Sequence, residues 1–281
     1  MIDRRDFVKA AGATALGAWA PALAPSPESR APRKLRRIGV QLYTVRDEMK
    51  KNVEGTIAKV AQIGYNEVEF AGYFEKTPAE VRAILDRHGL SSPSVHTGLL
   101  PADQWRAALD AAKVIGHRYV VVAWIPPEQR KTLDDYKRFA ERFNQAAADA
   151  HAVGLQFAYH NHDFEFVPLD GRLPYDVLLE ATDPKLVQLE VDLYWITKGG
   201  QDPLKYFARW PGRVPMVHVK DSMGPPEYRM VEVGAGTIDW KQIFAHDTQA
   251  GIQHFFVEHD QPADPFASIR KSYEYLKRLE F

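Results

Sequence analysis

The sequence predicts a single-domain α/β protein, a closed (β/α)8 TIM barrel, and three observations carry that reading. Short apolar runs alternate eight times with longer amphipathic stretches from Ile38 onward. Gly64, Gly89, Gly116, Gly154 and Gly251 each stand between the end of a helical pattern and the next apolar run, where a left-handed C-cap suits glycine. Ionisable residues gather at the C-terminal ends of the apolar runs, the rim on which barrels of this kind carry their chemistry.

The expected strands are Ile38–Leu42, Glu67–Phe70, Ser92–His96, Tyr119–Ala123, Gln156–His160, Val187–Asp192, Val214–Val219 and His254–Glu258. The expected helices are Asn52–Ile63, Pro78–His88, Gln104–Ile115, Leu133–Val153, Pro174–Ala181, Asp202–Arg209, Trp240–His246 and Pro265–Leu279. The second of these has the best start signal: Thr77 as N-cap, Pro78 at the first helical position and Glu80 at the third. A doubly wound open sheet is the alternative arrangement. It is disfavoured because the turn after the first strand reads Gln41-Leu42-Tyr43-Thr44-Val45-Arg46, with no glycine-rich phosphate loop.

Residues 1–24 read as a targeting segment rather than as fold. Arg4 and Arg5 precede a mild Ala/Gly-rich apolar run, Ala10 to Ala20, too short to cross a bilayer, and Ala22-Leu23-Ala24 offers a cleavage site. The segment resembles a twin-arginine signal peptide, which implies a periplasmic or other extracytoplasmic destination. Residues 25–37 read as a linker, with the basic run Arg33–Arg37 solvated, and the barrel as residues 38–281.

The chain has 281 residues, 36 basic and 37 acidic side chains and a formal charge of -1, so no basic excess offers itself to nucleic acid. It has no cysteine, which excludes disulfides, a thiolate metal site and a cysteine nucleophile. Any metal must be held by nitrogen and oxygen. A stable membrane span is not expected, and homo-oligomerisation is left open.

Four successive strand ends carry inward ionisable groups, which are costly in a barrel unless paired or bound to metal. Strand alternation puts His218 and Lys220 on one face, Glu190 and Asp192 on one face, and Phe256, Glu258 and Asp260 on one face. The inward set nearest the rim is then His160, Asp192, His218 and Glu258, expected to hold one divalent metal. Two imidazoles and two carboxylates suit Mn, Fe, Co or Zn better than Mg or Ca, and Mn is the first expectation. His88, His117, His151 and His246 fall in helix tails and junctions and are expected at the surface.

Several stretches together resemble the xylose-isomerase-like barrels that include sugar phosphate isomerases and epimerases. They are Gly39-Val40-Gln41-Leu42-Tyr43-Thr44, Ala158-Tyr159-His160-Asn161-His162, Val191-Asp192, His218-Val219-Lys220-Asp221, Gly234-Ala235-Gly236-Thr237-Ile238-Asp239-Trp240 and Val257-Glu258. The resemblance covers about Ile38 to Leu279. It implies one metal held by a Glu, an Asp, a His and a Glu on the fifth to eighth strands. Asp192, His218 and Glu258 match that pattern, whereas His160 replaces the first Glu. The superfamily's DNA-repair branch, endonuclease IV, carries Asp-x-x-His on the sixth strand; here Trp195 stands in place of that His.

The implied activity is metal-dependent isomerisation or epimerisation of a keto-sugar through an enediolate. Elimination or hydrolysis of a 3-keto-glycoside is the alternative, and a non-catalytic sugar-binding protein the competing class. Glu258 is the expected proton acceptor, His162 or Glu165 the second acid/base group, and Lys220 the oxyanion partner. Tyr43, Glu69, His96 and Trp195, with Lys220, are the expected substrate contacts. The expected partner is a small, unphosphorylated carbohydrate.

Overall fold

The computed structural model describes residues 32–281. The expected signal peptide and most of the linker lie outside the described residues. Ten strands are present among them: β1 (Gly39–Gln41), β2 (Glu67–Ala71), β3 (Ser91–Thr97), β4 (Tyr119–Val122), β5 (Gln156–His160), β6 (Val187–Asp192), β7 (Met216–Val219), β8 (Asp221–Ser222), β9 (Met230–Val231) and β10 (His254–Val257). Eight of them, β1 to β7 and β10, close into a barrel in which β10 pairs with both β7 and β1. Every barrel pairing is parallel. The short strands β8 and β9 form an antiparallel hairpin on the rim just past β7.

The helices are α1 (Arg46–Lys51), α2 (Val53–Ile63), α3 (Pro78–His88), α4 (Ala102–Ile115), α5 (Leu133–Ala152), α6 (Pro174–Ala181), α7 (Leu193–Lys198), α8 (Pro203–Arg209), α9 (Trp240–Ala245), α10 (Asp247–Ala250) and α11 (Pro265–Arg278). Their starts follow capping chemistry. Thr77 and Glu80 form a reciprocal capping box at α3, and Thr132 and Asp135 do the same at α5. In α5 the buried residues Tyr136, Phe139, Ala140, Phe143, Ala146, Ala147 and Ala150 recur at three- and four-residue spacing, which lays one stripe on the sheet. The short helices α1, α7 and α10 were not expected. Each has six residues or fewer, too short to show an amphipathic period.

Two cores result. The larger lies between the sheet and the helices. The smaller fills the barrel with Tyr119, Val121, Ala158, Met216 and Phe256. Gly39 belongs to this inner packing: a methyl group there would stand 2.5 Å from Phe256 Cδ1. Above this apolar plug Glu69, Glu190, Asp192, His218 and Glu258 point inward and are buried, so the plug is the floor on which the site rests.

Two expectations are corrected. Residues 33–37, read as a solvated linker, are tied to the barrel in part. Arg33 and Phe281 exchange backbone hydrogen bonds of 2.9 and 3.0 Å, Arg33 pairs with Asp247 and Arg37 with the buried Glu67. His117, expected at the surface, is buried: its Nδ1 lies 2.7 Å from the Ser92 carbonyl and its ring stacks on Tyr73. A helix–strand junction is exposed only where no neighbouring loop folds over it, and sequence position does not report that.

Candidate active site

Strand ends position the site. Asp192 ends β6 and caps α7: its Oδ1 accepts from Tyr194 N and Trp195 N, both at 2.9 Å. That leaves Oδ2 buried and aimed inward without a hydrogen bond, the Lys220 ammonium lying 3.0 Å away. His218 on β7 is fully buried, with Nδ1 2.7 Å from Glu258 Oε2 and Nε2 2.7 Å from Glu69 Oε2. Lys220, two residues beyond, brings its ammonium within 2.7 Å of Glu258 and 2.9 Å of Asp260. Its partners are therefore Asp192, Glu258 and Asp260.

Asp221 has a separate task. Its carboxylate accepts from the backbone N–H groups of Ser222, Gly234, Gly236 and Ile238 and from the Trp240 indole. A Cβ on Gly236 would stand 2.2 Å from Asp221 Oδ1. The glycine-rich loop is thus folded around that carboxylate and shapes the rim without entering the site.

Three of the four expected ligands, Asp192, His218 and Glu258, bring donor atoms within 4.8 Å of one another. His160 is placed differently. It converges with His96, Glu190 and His218, its Nδ1 3.2 Å from Glu190 Oε2, while its Nε2 lies 3.7 Å from Asp192 Oδ2. The first set fits a divalent cation: two carboxylates and one imidazole, with Asp192 Oδ2 buried, without a hydrogen bond and faced by the Lys220 ammonium. Asp192, His218 and Glu258 would hold it.

Electrostatics follow from burial among mixed charges. Burial raises Asp192 to about 6, opposed by Lys220 and His218. Burial also works against ionised Glu258, but the Lys220 ammonium and His218 overcome it and hold the carboxyl well below the usual range. His96 is raised to about 10, because Glu69 and Glu190 outweigh its desolvation. His162 is depressed to about 3 by burial and by the nearby Lys220 charge, so it is neutral at pH 7.

The site opens into a cavity of about 470 Å³ whose walls include Tyr43, His96, Trp124, His160, His162, Lys220, Glu258 and Asp260. Tyr43 is 43% exposed and carries the Arg46 guanidinium over its ring at 4.1 Å. His162 stands edge-on to Trp124, stacks on Phe164, and has a buried Nδ1 without a partner.

Two expected substrate contacts, Glu69 and Trp195, and one expected acid/base group, Glu165, fall elsewhere. Glu69 is fully buried beneath His96 and His218 and also accepts from Gln41 Nε2 at 2.7 Å, so it cannot reach a substrate hydroxyl. Trp195 does not line the cavity; it packs behind His162 and the Lys220 ammonium. Glu165 is fully buried behind β5, accepting from Tyr159 Oη at 2.5 Å and from His162 N at 2.9 Å. It positions His162 instead of facing a substrate.

Trp124, 47% exposed on the cavity wall, went unrecognised in the sequence. It stands two residues past β4 in the run Ala123-Trp124-Ile125-Pro126, where no ionisable neighbour marks the strand end.

Burial raises the Glu165 carboxyl to about 7 against the hydrogen bonds it accepts. A folded-state pKa above the unfolded value of 4.5 means stability is lost as pH rises from 4.5 to about 7. Glu165→Gln, which mimics the neutral acid, will match the parent near pH 4.5 and exceed it by about 3 kcal/mol at pH 8. Urea unfolding at the two pH values measures this; a gap that does not change with pH refutes it.

Fold and site together define a (β/α)8-barrel protein with a nitrogen–oxygen donor set able to hold a divalent cation at its C-terminal rim. The chain belongs to the xylose isomerase-like TIM barrel family, which it matches over residues 57–279. It is 26% identical over 266 residues to an inosose dehydratase of Geobacillus kaustophilus, a match covering 79% of this chain and 86% of that protein. A sugar phosphate isomerase/epimerase of Parabacteroides distasonis superposes with a TM-score of 0.76 at 27% identity, covering 86% of this chain and 98% of the other. The IolI protein, solved with a zinc atom, shares the fold at a TM-score of 0.67 and 14% identity, over 85% of this chain and 95% of its own.

Proposed function

We propose that this protein is a divalent-metal-dependent lyase that eliminates water, or an alcohol, from the carbon β to the carbonyl of an unphosphorylated keto-sugar or keto-cyclitol. The observation that carries this reading is the Glu258–Lys220 pair, 2.7 Å apart on the cavity wall beside Asp192 and His218. One member is held ionised and able to take a proton, the other is a cation able to give one. The similarity to inosose dehydratases supports elimination over isomerisation. So does His160: a symmetric epimerase needs a carboxylate on each face of the sugar, and β5 supplies an imidazole with a depressed pKa.

A bound cation would supply Lewis acidity that makes the carbon beside the carbonyl acidic enough for a weakly basic carboxylate. Glu258 accepts that proton, and the C–H electrons move into the carbonyl to give the enediolate. Collapse of the enediolate breaks the β C–O bond. Lys220 gives the departing oxygen its proton and recovers one from Glu258, so water or an alcohol leaves with an enone behind it. His162, neutral and on the cavity wall, orients a ring hydroxyl through Nε2, since its Nδ1 is buried. The cations on the cavity wall among the described residues, Lys220 and His96, are both engaged, Lys220 by three carboxylates and His96 by Glu69 and Glu190. A phosphate would therefore find no partner there. Tyr43 and Trp124 offer faces for the apolar side of a sugar ring.

The test uses the metal-loaded protein with inosose and with 3-keto-glycosides in deuterated water. Conjugated enone with loss of water or alcohol is expected. An isomerised ketone with nothing lost would establish the isomerase instead, and binding without turnover a sugar-binding protein. Trp124→Ala should raise KM about tenfold, the ~1.4 kcal/mol of one lost ring contact, with kcat little changed. An unchanged KM removes Trp124 from the substrate site.

We also propose export through residues 1–24, which would bring the cavity to unphosphorylated carbohydrate. Replacing Arg4 and Arg5 with lysine should block secretion of a reporter fused after residue 37. No described helix is long and apolar enough to cross a membrane.

A further inference from the structure

One wall of the cavity is a corner of rings contributed by two different loops. Trp124 stands two residues past β4, and Phe164 opens the single-turn helix Phe164–Phe166 after β5. Their centroids are 5.2 Å apart and their planes almost perpendicular, at 83°. His162 completes the corner, edge-on to Trp124 at 5.1 Å and stacked on Phe164 at 5.6 Å. Trp124 and His162 line the cavity, whereas Phe164 packs on the core.

Trp124 is 47% exposed, so close packing alone does not fix its rotamer. A stacking surface that the ligand itself has to order loses part of the affinity it supplies. Something other than burial must hold the ring if it is to receive a sugar.

Arg130 is placed to do this. It lies on the same loop as Trp124, between the short helix Pro127–Gln129 and Thr132, the N-cap of α5. The N–H groups of Lys131 and Thr132 donate to Asp135 at 2.9 and 2.7 Å, which anchors this segment to the start of α5. The guanidinium carbon of Arg130 is 3.2 Å from the centroid of Phe164 and 4.8 Å from that of Trp124. One planar cation thus covers both arms of the corner and ties the loop after β4 to the loop after β5. Its Nη1 is buried without a hydrogen-bond partner, so the ring contacts are what hold the guanidinium there.

We propose that Arg130 is a positioning residue for the substrate wall: its guanidinium locks Trp124 against Phe164 and presets the face that a sugar ring meets. Arg130 does not line the cavity, so it acts through Trp124. The inference rests on the reading of Trp124 as a sugar contact, and one arm of its test is independent of that reading.

The full chain carries six tryptophans, and fluorotryptophan labelling gives each a fluorine NMR line, that of Trp124 being assigned by its absence in Trp124→Phe. In Arg130→Met the Trp124 line should move toward the position of free fluorotryptophan while the others stay. Arg130→Lys keeps the charge and most of the stem, and serves where the methionine variant fails to fold. It should move the same line, because a strongly hydrated ammonium does not cover two rings. A Trp124 line unmoved in both variants overturns the proposal. So does a displacement shared by all the lines, which would make Arg130 a support of the whole fold. Neither outcome depends on turnover, so failure of the lyase reading leaves this arm intact. In the kinetic arm, Arg130→Met should raise KM about fivefold with kcat little changed, the loss of one cation–π contact. Added to Trp124→Ala, it should change KM by less than about twofold, because the ring it positions is already gone. Effects that multiply in full would place the action of Arg130 elsewhere and overturn the proposal.

Discussion

Glu258→Gln will lower turnover of a keto-sugar or keto-cyclitol by about 10²–10⁴-fold, the range of a lost general base. The amide keeps the shape of the side chain but presents an uncharged group to His218 Nδ1 and Lys220 Nζ, both 2.7 Å from the present carboxylate oxygen. It also removes one of the three rim donors, so two effects must be separated. Metal content of the variant does this. If metal is retained while deuterium exchange at the carbon beside the carbonyl disappears, the loss belongs to proton transfer. If metal is lost, supplying it in excess restores only the binding part. Full turnover by Glu258→Gln would remove Glu258 from the mechanism.

Lys220→Met should produce the largest change in stability. The ammonium is 2% exposed and lies within 3.0 Å of Asp192, Glu258 and Asp260. Removing one partner of a buried ionic cluster costs about 3–5 kcal/mol, because the remaining charges stay behind uncompensated. The metal-free variant should therefore melt about 10 °C below the parent at neutral pH. Two conditions should shrink that gap. Divalent cation supplies the missing charge at Asp192 and Glu258. Acid below pH 6 protonates Asp192, whose pKa is raised to about 6 by burial. Equal melting temperatures without metal would mean that the carboxylates have another counter-charge. Activity should fall as well, since the proposed proton donor is gone.

Much of the site was legible because a strand has a period of two. Parity alone puts His218 with Lys220 and Glu190 with Asp192 on inward faces, and the rim rule selects His160, Asp192, His218 and Glu258 as candidate ligands, of which the last three gather their donor atoms together. The helices were legible for an equally local reason: Thr77, Thr132 and the glycine caps act through neighbours a few residues away. The segments α1 and α7, both at the rim, gave no such signal, and neither did the ring of Trp124.

What the sequence by itself determined was the barrel, the direction of each strand residue and the chemical types gathered at one end. The tertiary structure decided the height at which those residues meet. In the barrel His160 is level with Glu190, whereas Asp192 is level with His218. That stagger moves His160 toward His96 and Glu190, and parity carries no information about it because shear is a property of the closed sheet. Loop closure decided the rest. Glu165 folds back onto Tyr159, and Asp221 gathers the glycine loop, because a buried carboxylate must find donors wherever the chain brings them.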